Sequence, residues 1–155
     1  MDRLIERYGE GYRLVADAIQ GLSDQEANFK PSADQWSIRE IVVHLADAEV
    51  VAIHRMKKIL AERNPLLTAF DQDLWAKANF YSNMDYRLYL ELFRILRESM
   101  IPVLNQVSEE DWQRTGIHNE AGKLTLKDVL QSYVSHVDDH LRQIARVKTA
   151  LRRIN

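Results

Sequence analysis

Apolar residues return every three or four positions over four long stretches of this chain, which is the period of a helix with one buried face. The first stretch covers roughly residues 2–20 and ends at Gly21. The second opens at Ser37, where Ser37 and Glu40 form the capping-box pattern, and it continues to about Arg63, ahead of Asn64-Pro65. A shorter helical piece is expected over residues 70–76. The third long helix takes roughly residues 85–106, with Pro102 expected to kink or shorten its last turns. Ser108 to Asp111 reads as the cap of one brief turn, and Gly116 to Gly122 reads as a loop. Thr125 and Asp128 repeat the capping signature before the fourth helix, residues 126–152. No strand pattern stands out. The expectation is an all-α bundle forming one domain over residues 1–155, with pocket walls in the two long connections around the third helix.

The chemistry follows from which faces carry histidine. The fourth helix centres its apolar stripe on Leu126, Val129, Leu130, Tyr133, Val137, Leu141, Ile144 and Leu151. His140 falls inside that stripe, and His136 lies at its edge one turn earlier. Two imidazoles on a buried face must satisfy ring nitrogens away from water, whereas side chains four residues apart project together and suit a metal. Either hydrogen-bonded core histidines or metal ligands fit the pair. The spacing is that of a zincin helix, but the intervening glutamate is missing, which argues against a zinc protease. A third ligand is available in His44, at the flank of the second helix's stripe of Ile38, Ile41, Val42, Leu45, Ala52 and Met56. Alone, His44 reads as a hydrogen-bonded boundary histidine. His54 lies opposite that stripe and should face solvent.

Composition narrows the chemistry further. Cysteine is absent, so disulfides, thiolate ligands and a cysteine nucleophile are excluded, and any metal must be held by nitrogen or oxygen. Twenty-one basic against twenty-three acidic residues give a net charge of −2, without the basic excess of a nucleic-acid binder. No apolar run is long enough to span a membrane, and residues 1–7 lack the apolar core of a signal peptide, so a cytoplasmic protein is expected.

The segment Trp36-Ser37-Ile38-Arg39-Glu40-Ile41-Val42-Val43-His44-Leu45-Ala46-Asp47 resembles the signature of the DinB/YfiT-like superfamily, and His136-xxx-His140 supplies its second half. Residues 70–76 and 118–122 are similar to segments of the YfiT-like branch, in the same order. The resemblance implies an up-down-down-up four-helix bundle, often a homodimer. It places the family's metal triad on His44, His136 and His140, binding nickel, zinc or iron. It also implies transfer of a low-molecular-weight thiol to an electrophilic substrate, as in bacillithiol or mycothiol transferases. Where the YfiT-type pattern has an aromatic before the first helix-four histidine and a histidine before the last, this chain has Ser135 and Asp139.

A His₃ ion keeps open positions and lowers the pKa of a bound thiol or water, so metal-assisted hydrolysis is the enzymatic rival. A non-catalytic dimeric bundle with a structural or vestigial metal is the other. Asp47 and Gln143 are candidates to orient the histidine rings. Arg55, further along the same side of the second helix as His44, could hold an anionic thiol or substrate, although an ion pair with Asp71 is the plainer reading. Asp71 and Trp75 are the other candidate substrate-binding residues, with Trp75 as a pocket wall or a core aromatic. His118 and Glu120 read as lid residues or as a solvated loop, and Trp36 as a hydrophobic staple before the second helix.

Overall fold

Each of the four apolar stripes becomes a helix in the structure, a computed structural model that describes residues 1–153. Helix α1 (Asp2–Ile19) buries Ile5, Tyr8, Gly11, Val15 and Ile19 along one face. It stops before Gly21, whose positive φ turns the chain. Helix α3 (Ile38–Ala61) starts on the expected capping box: the Glu40 amide donates to the Ser37 hydroxyl (3.2 Å), and the Ser37 amide donates to the Glu40 carboxylate (2.8 Å). Helix α5 (Tyr86–Leu104) contains Pro102 in its last turn and ends two residues later. Helix α6 (Leu126–Arg152) starts on the Thr125/Asp128 capping box. The short α4 (Gln72–Ala78) and α2 (Asp24–Asn28) complete the helices, α2 on a Ser23/Glu26 capping box that the stripe pattern did not reveal.

Contacts across the bundle fix its topology. Helices α1 and α3 each pack on both α5 and α6, and therefore lie on one diagonal. Arg7 reaches Asp138 and Lys148 reaches the Ala18 carbonyl, so α1 and α6 run the same way. Arg39 reaches the Met84 carbonyl and Arg97 reaches Glu49, so α3 and α5 also run together. His44 stands opposite His136 and Arg55 opposite Tyr133, making α3 and α6 antiparallel. The result is the up-down-down-up bundle. Among the described residues, no helix is long and apolar enough to cross a membrane.

The expected loop over 116–122 is instead a hairpin. Strands β2 (Thr115–His118) and β3 (Gly122–Thr125) pair antiparallel, and β1 (Leu66–Leu67) adds parallel to β2. Strands of two and four residues are too short to display alternation, so their pairing is set by tertiary contacts. At Gly116, a Cβ would come within 2.8 Å of the Leu67 side chain, which shows how closely the sheet's backbone approaches its neighbour. Asn119 accepts a hydrogen bond from the Ala69 amide (2.7 Å), tying the hairpin to the segment ahead of α4.

One buried ion pair joins the four long helices. Arg97 of α5 donates from Nε to Glu49 of α3 (2.9 Å), from Nη1 to the Tyr8 carbonyl of α1 (2.7 Å) and from Nη2 to the Tyr133 carbonyl of α6 (3.0 Å). The Tyr8 hydroxyl donates to the other Glu49 oxygen, and the guanidinium lies over the Tyr8 and Phe93 rings. Gly11 makes room for it: a Cβ there would lie 2.2 Å from Arg97 Nη1.

Candidate metal centre

Helices α3 and α6 position the three histidines from opposite sides. His44 is buried on α3, His140 is buried on α6, and His136 is half-buried one turn before His140. The His136 Nε2 lies 3.0 Å from the His44 Nε2 and 2.9 Å from the His140 Nε2. The structure thus brings together the three residues that the sequence placed on inward faces, and it leaves His54 exposed. Trp36 covers the cluster, its ring centroid 4.9 Å from that of His44 and its plane parallel to the His140 ring at 6.4 Å. That position adds a role to its expected packing ahead of the helix cap.

Proton placement argues that this cluster accepts a cation. Burial, reinforced by the charge of the neighbouring rings, pushes His44 down to about 2. Burial, then His140 and Arg97, push His136 down to about 3. Burial also lowers His140, with the hydrogen bond to Gln143 offsetting part of the effect. All three rings are therefore neutral at pH 7. His140 Nδ1 donates to the Gln143 Oε1 (2.8 Å), which leaves its Nε2 as a lone pair. Three neutral Nε2 atoms facing one another cannot all find protons. A divalent transition ion satisfies every lone pair at once, and three imidazoles are a donor set suited to one. Among the described residues no fourth histidine or carboxylate joins the group, so the site lacks the closed ligand set of a structural zinc site.

The expected orienting residues divide. Gln143 holds His140, whereas Asp47 accepts from the Tyr81 hydroxyl (2.6 Å) and leaves His44 Nδ1 buried without a partner among the described residues. A cavity of about 210 Å³ opens beside the cluster, lined by His44, Ala48, Arg55, Phe70, Gln72, Ser132, Tyr133 and His136. Arg55 is on that wall. The ion pair with Asp71 does not form, because the Asp71 carboxylate instead caps α4, accepting from the amides of Asp73 and Leu74. Trp75 stands against Phe70, ring centroids 4.7 Å apart, and packs around Val43, Ala76 and Tyr81. Neither Asp71 nor Trp75 lines the cavity. Their neighbours Phe70 and Gln72 do, and so do Ser132 and Tyr133, none of which the sequence singled out. Phe70 and Gln72 flank the helix cap, and a cap residue must turn its side chain back onto its own helix. That signal could have found them. His118 accepts from the amides of Glu120 and Ala121 at Nδ1, so its ring organises its own hairpin turn, while Glu120 is exposed.

Known proteins share this architecture. OB0782 of Oceanobacillus iheyensis, provisionally named a metal-dependent hydrolase, is 27% identical over 132 residues, covering 85% of this chain and 76% of its own length. The structure of YfiT from Bacillus subtilis, described as a probable metal-dependent hydrolase with an unusual four-helix bundle topology, superposes with a TM-score of 0.90 at 22% identity, covering 97% of this chain and 86% of that one. A mycothiol-dependent maleylpyruvate isomerase superposes with a TM-score of 0.73 at 11% identity, covering 92% of this chain and 60% of that one. Residues 7–144 match the sequence pattern of the DinB superfamily, and the chain belongs to that superfamily.

Proposed function

We propose that the protein is a metal-dependent enzyme that transfers a low-molecular-weight thiol to an electrophilic substrate beside His44, His136 and His140. The observation that carries this reading is the make-up of the adjoining cavity, whose lining includes neither a carboxylate nor a cysteine. Held by the three histidines, a divalent ion such as zinc, nickel or iron would lower the pKa of a thiol or water and supply a nucleophile at neutral pH. Activating water for hydrolysis ordinarily recruits a nearby carboxylate as base, whereas a thiol, more acidic from the start, needs none. The chain's own part is positioning: Gln143 fixes the His140 ring, and Trp36, Phe70 and Tyr133 bound the space around the cluster. The thiol releases its proton to solvent, and its sulfur forms a bond to the electrophilic carbon. The leaving group departs with the electrons of the broken bond.

The fold shared with a mycothiol-dependent enzyme supports thiol chemistry, while the names of the bacterial relatives favour hydrolysis as the second reading. Titrating the cobalt-substituted protein with cysteine, glutathione, bacillithiol and mycothiol separates the two. A shift of the visible spectrum with at least one thiol is expected. Silence from all four would displace thiol transfer in favour of hydrolysis.

A further inference from the structure

Among the described residues, the half-buried Arg55 has no carboxylate within ion-pair reach. Arg7, Arg39, Arg87, Arg94, Arg97 and Arg142 all have carboxylates within ion-pair reach. Arg55 has only neutral oxygens: Nη1 donates to the Tyr133 hydroxyl (3.1 Å) and Nη2 to the Thr68 carbonyl (2.5 Å). Its Nε is buried with no partner among the described residues. These bonds anchor the guanidinium to α6 and to the segment that the hairpin holds, so it cannot swing freely into solvent. It lines the same cavity as His44 and His136. The ionisable groups beside it are not carboxylates: burial raises the Tyr133 hydroxyl, and His118 is held below its ordinary pKa by burial and then by the charge of Arg55.

A half-buried guanidinium with spare donors is a fork for a planar oxyanion. A cavity of about 210 Å³ is smaller than a drug-sized pocket, so the group it admits is short. We propose that Arg55 binds a carboxylate of the substrate whose sulfur reaches the three-histidine cluster, which makes the preferred thiols short mercaptocarboxylates or larger thiols presenting that fragment. This rests on the thiol-transfer reading and specifies its substrate class.

The test compares mercaptoacetate and mercaptopropionate with the uncharged mercaptoethanol and mercaptopropanol on cobalt-loaded protein, read by the visible spectrum. In the wild type at least one acid should bind about 10-fold tighter than the alcohol of matching length, the scale of one charge-assisted bidentate contact. In Arg55→Met that advantage should fall below about 3-fold while the bound metal is unchanged, because methionine offers the carboxylate no donor and Arg55 is not one of the three histidine ligands. Arg55→Gln, which can still donate to Tyr133 or Thr68, serves if the Met variant does not fold. Equal binding of acids and alcohols to the wild type would overturn the proposal, as would an acid advantage that survives in both variants. If no thiol perturbs the spectrum, thiol transfer fails and the subsite is judged by calorimetry with acetate and propionate on zinc-loaded protein. Binding lost in Arg55→Met would keep the subsite, and no binding to the wild type would overturn it.

Discussion

Helix α3 buries Glu49 and His44, two polar side chains beyond its capping box, in different surroundings. Around Glu49 both carboxylate oxygens have donors, and Arg97 places its Nε and both Nη atoms on oxygens of three other helices. Around His44 three Nε2 atoms crowd together, and among the described residues its Nδ1 has no partner and the nearby Arg55 no counter-ion. The buried side-chain nitrogens and oxygens without a partner among the described residues are His44 Nδ1 and Arg55 Nε, both belonging to residues of one cavity wall. A polar cluster that holds a fold closes its own hydrogen bonds, whereas one built to receive a ligand leaves them open at a cost in stability.

Breaking the closed cluster should have the largest effect. Glu49→Ala leaves Arg97 buried and unpaired, and denaturant unfolding should show a loss of about 3–5 kcal/mol. Acid should sharpen the contrast next. The three histidines titrate below 6.5 in the folded apoprotein and near 6.5 when unfolded, so below pH 6.5 the unfolded chain binds more protons. Stability is then fully present above pH 6.5 and is lost as pH falls, approaching about 1.4 kcal/mol per pH unit each for His44 and His136, with His140 adding in the same direction. Unfolding curves of the apoprotein at pH 6.5 and 5.5 check this, and His44→Leu should reduce the slope. Gly11→Ala, which drives a methyl group into Arg97, should cost about 1–3 kcal/mol by thermal or denaturant unfolding. The smallest effect belongs to the open cluster. His44→Leu in the apoprotein at pH 7.5 removes an unsatisfied nitrogen, and stability should stay level or rise by about 1 kcal/mol.

How far the sequence disclosed these features depends on the range of the interactions behind them. The four helices and the inward turn of His44, His136 and His140 were legible because the 3.6-residue period and the capping boxes at Ser37 and Thr125 are local signals. The small sheet was not, since β1 lies some fifty residues before the strand it pairs with. The Glu49–Arg97 pair was also hidden: a charged residue at an inward position shows its partner only once two distant helices meet. Arg55 was legible as a residue on the His44 side of α3, but whether it forms an ion pair or stays available for an anionic ligand turned on Asp71. The cap at the start of α4 engages that side chain.

Calorimetric titration of apoprotein with zinc and nickel tests the central claim, that His44, His136 and His140 together hold one divalent ion. One ion per chain should bind the wild type and His54→Ala with equal affinity, while His140→Ala should lose at least about 100-fold, since two imidazoles compete poorly with water for the ion. No binding by the wild type, or equal losses in His140→Ala and His54→Ala, would contradict the account.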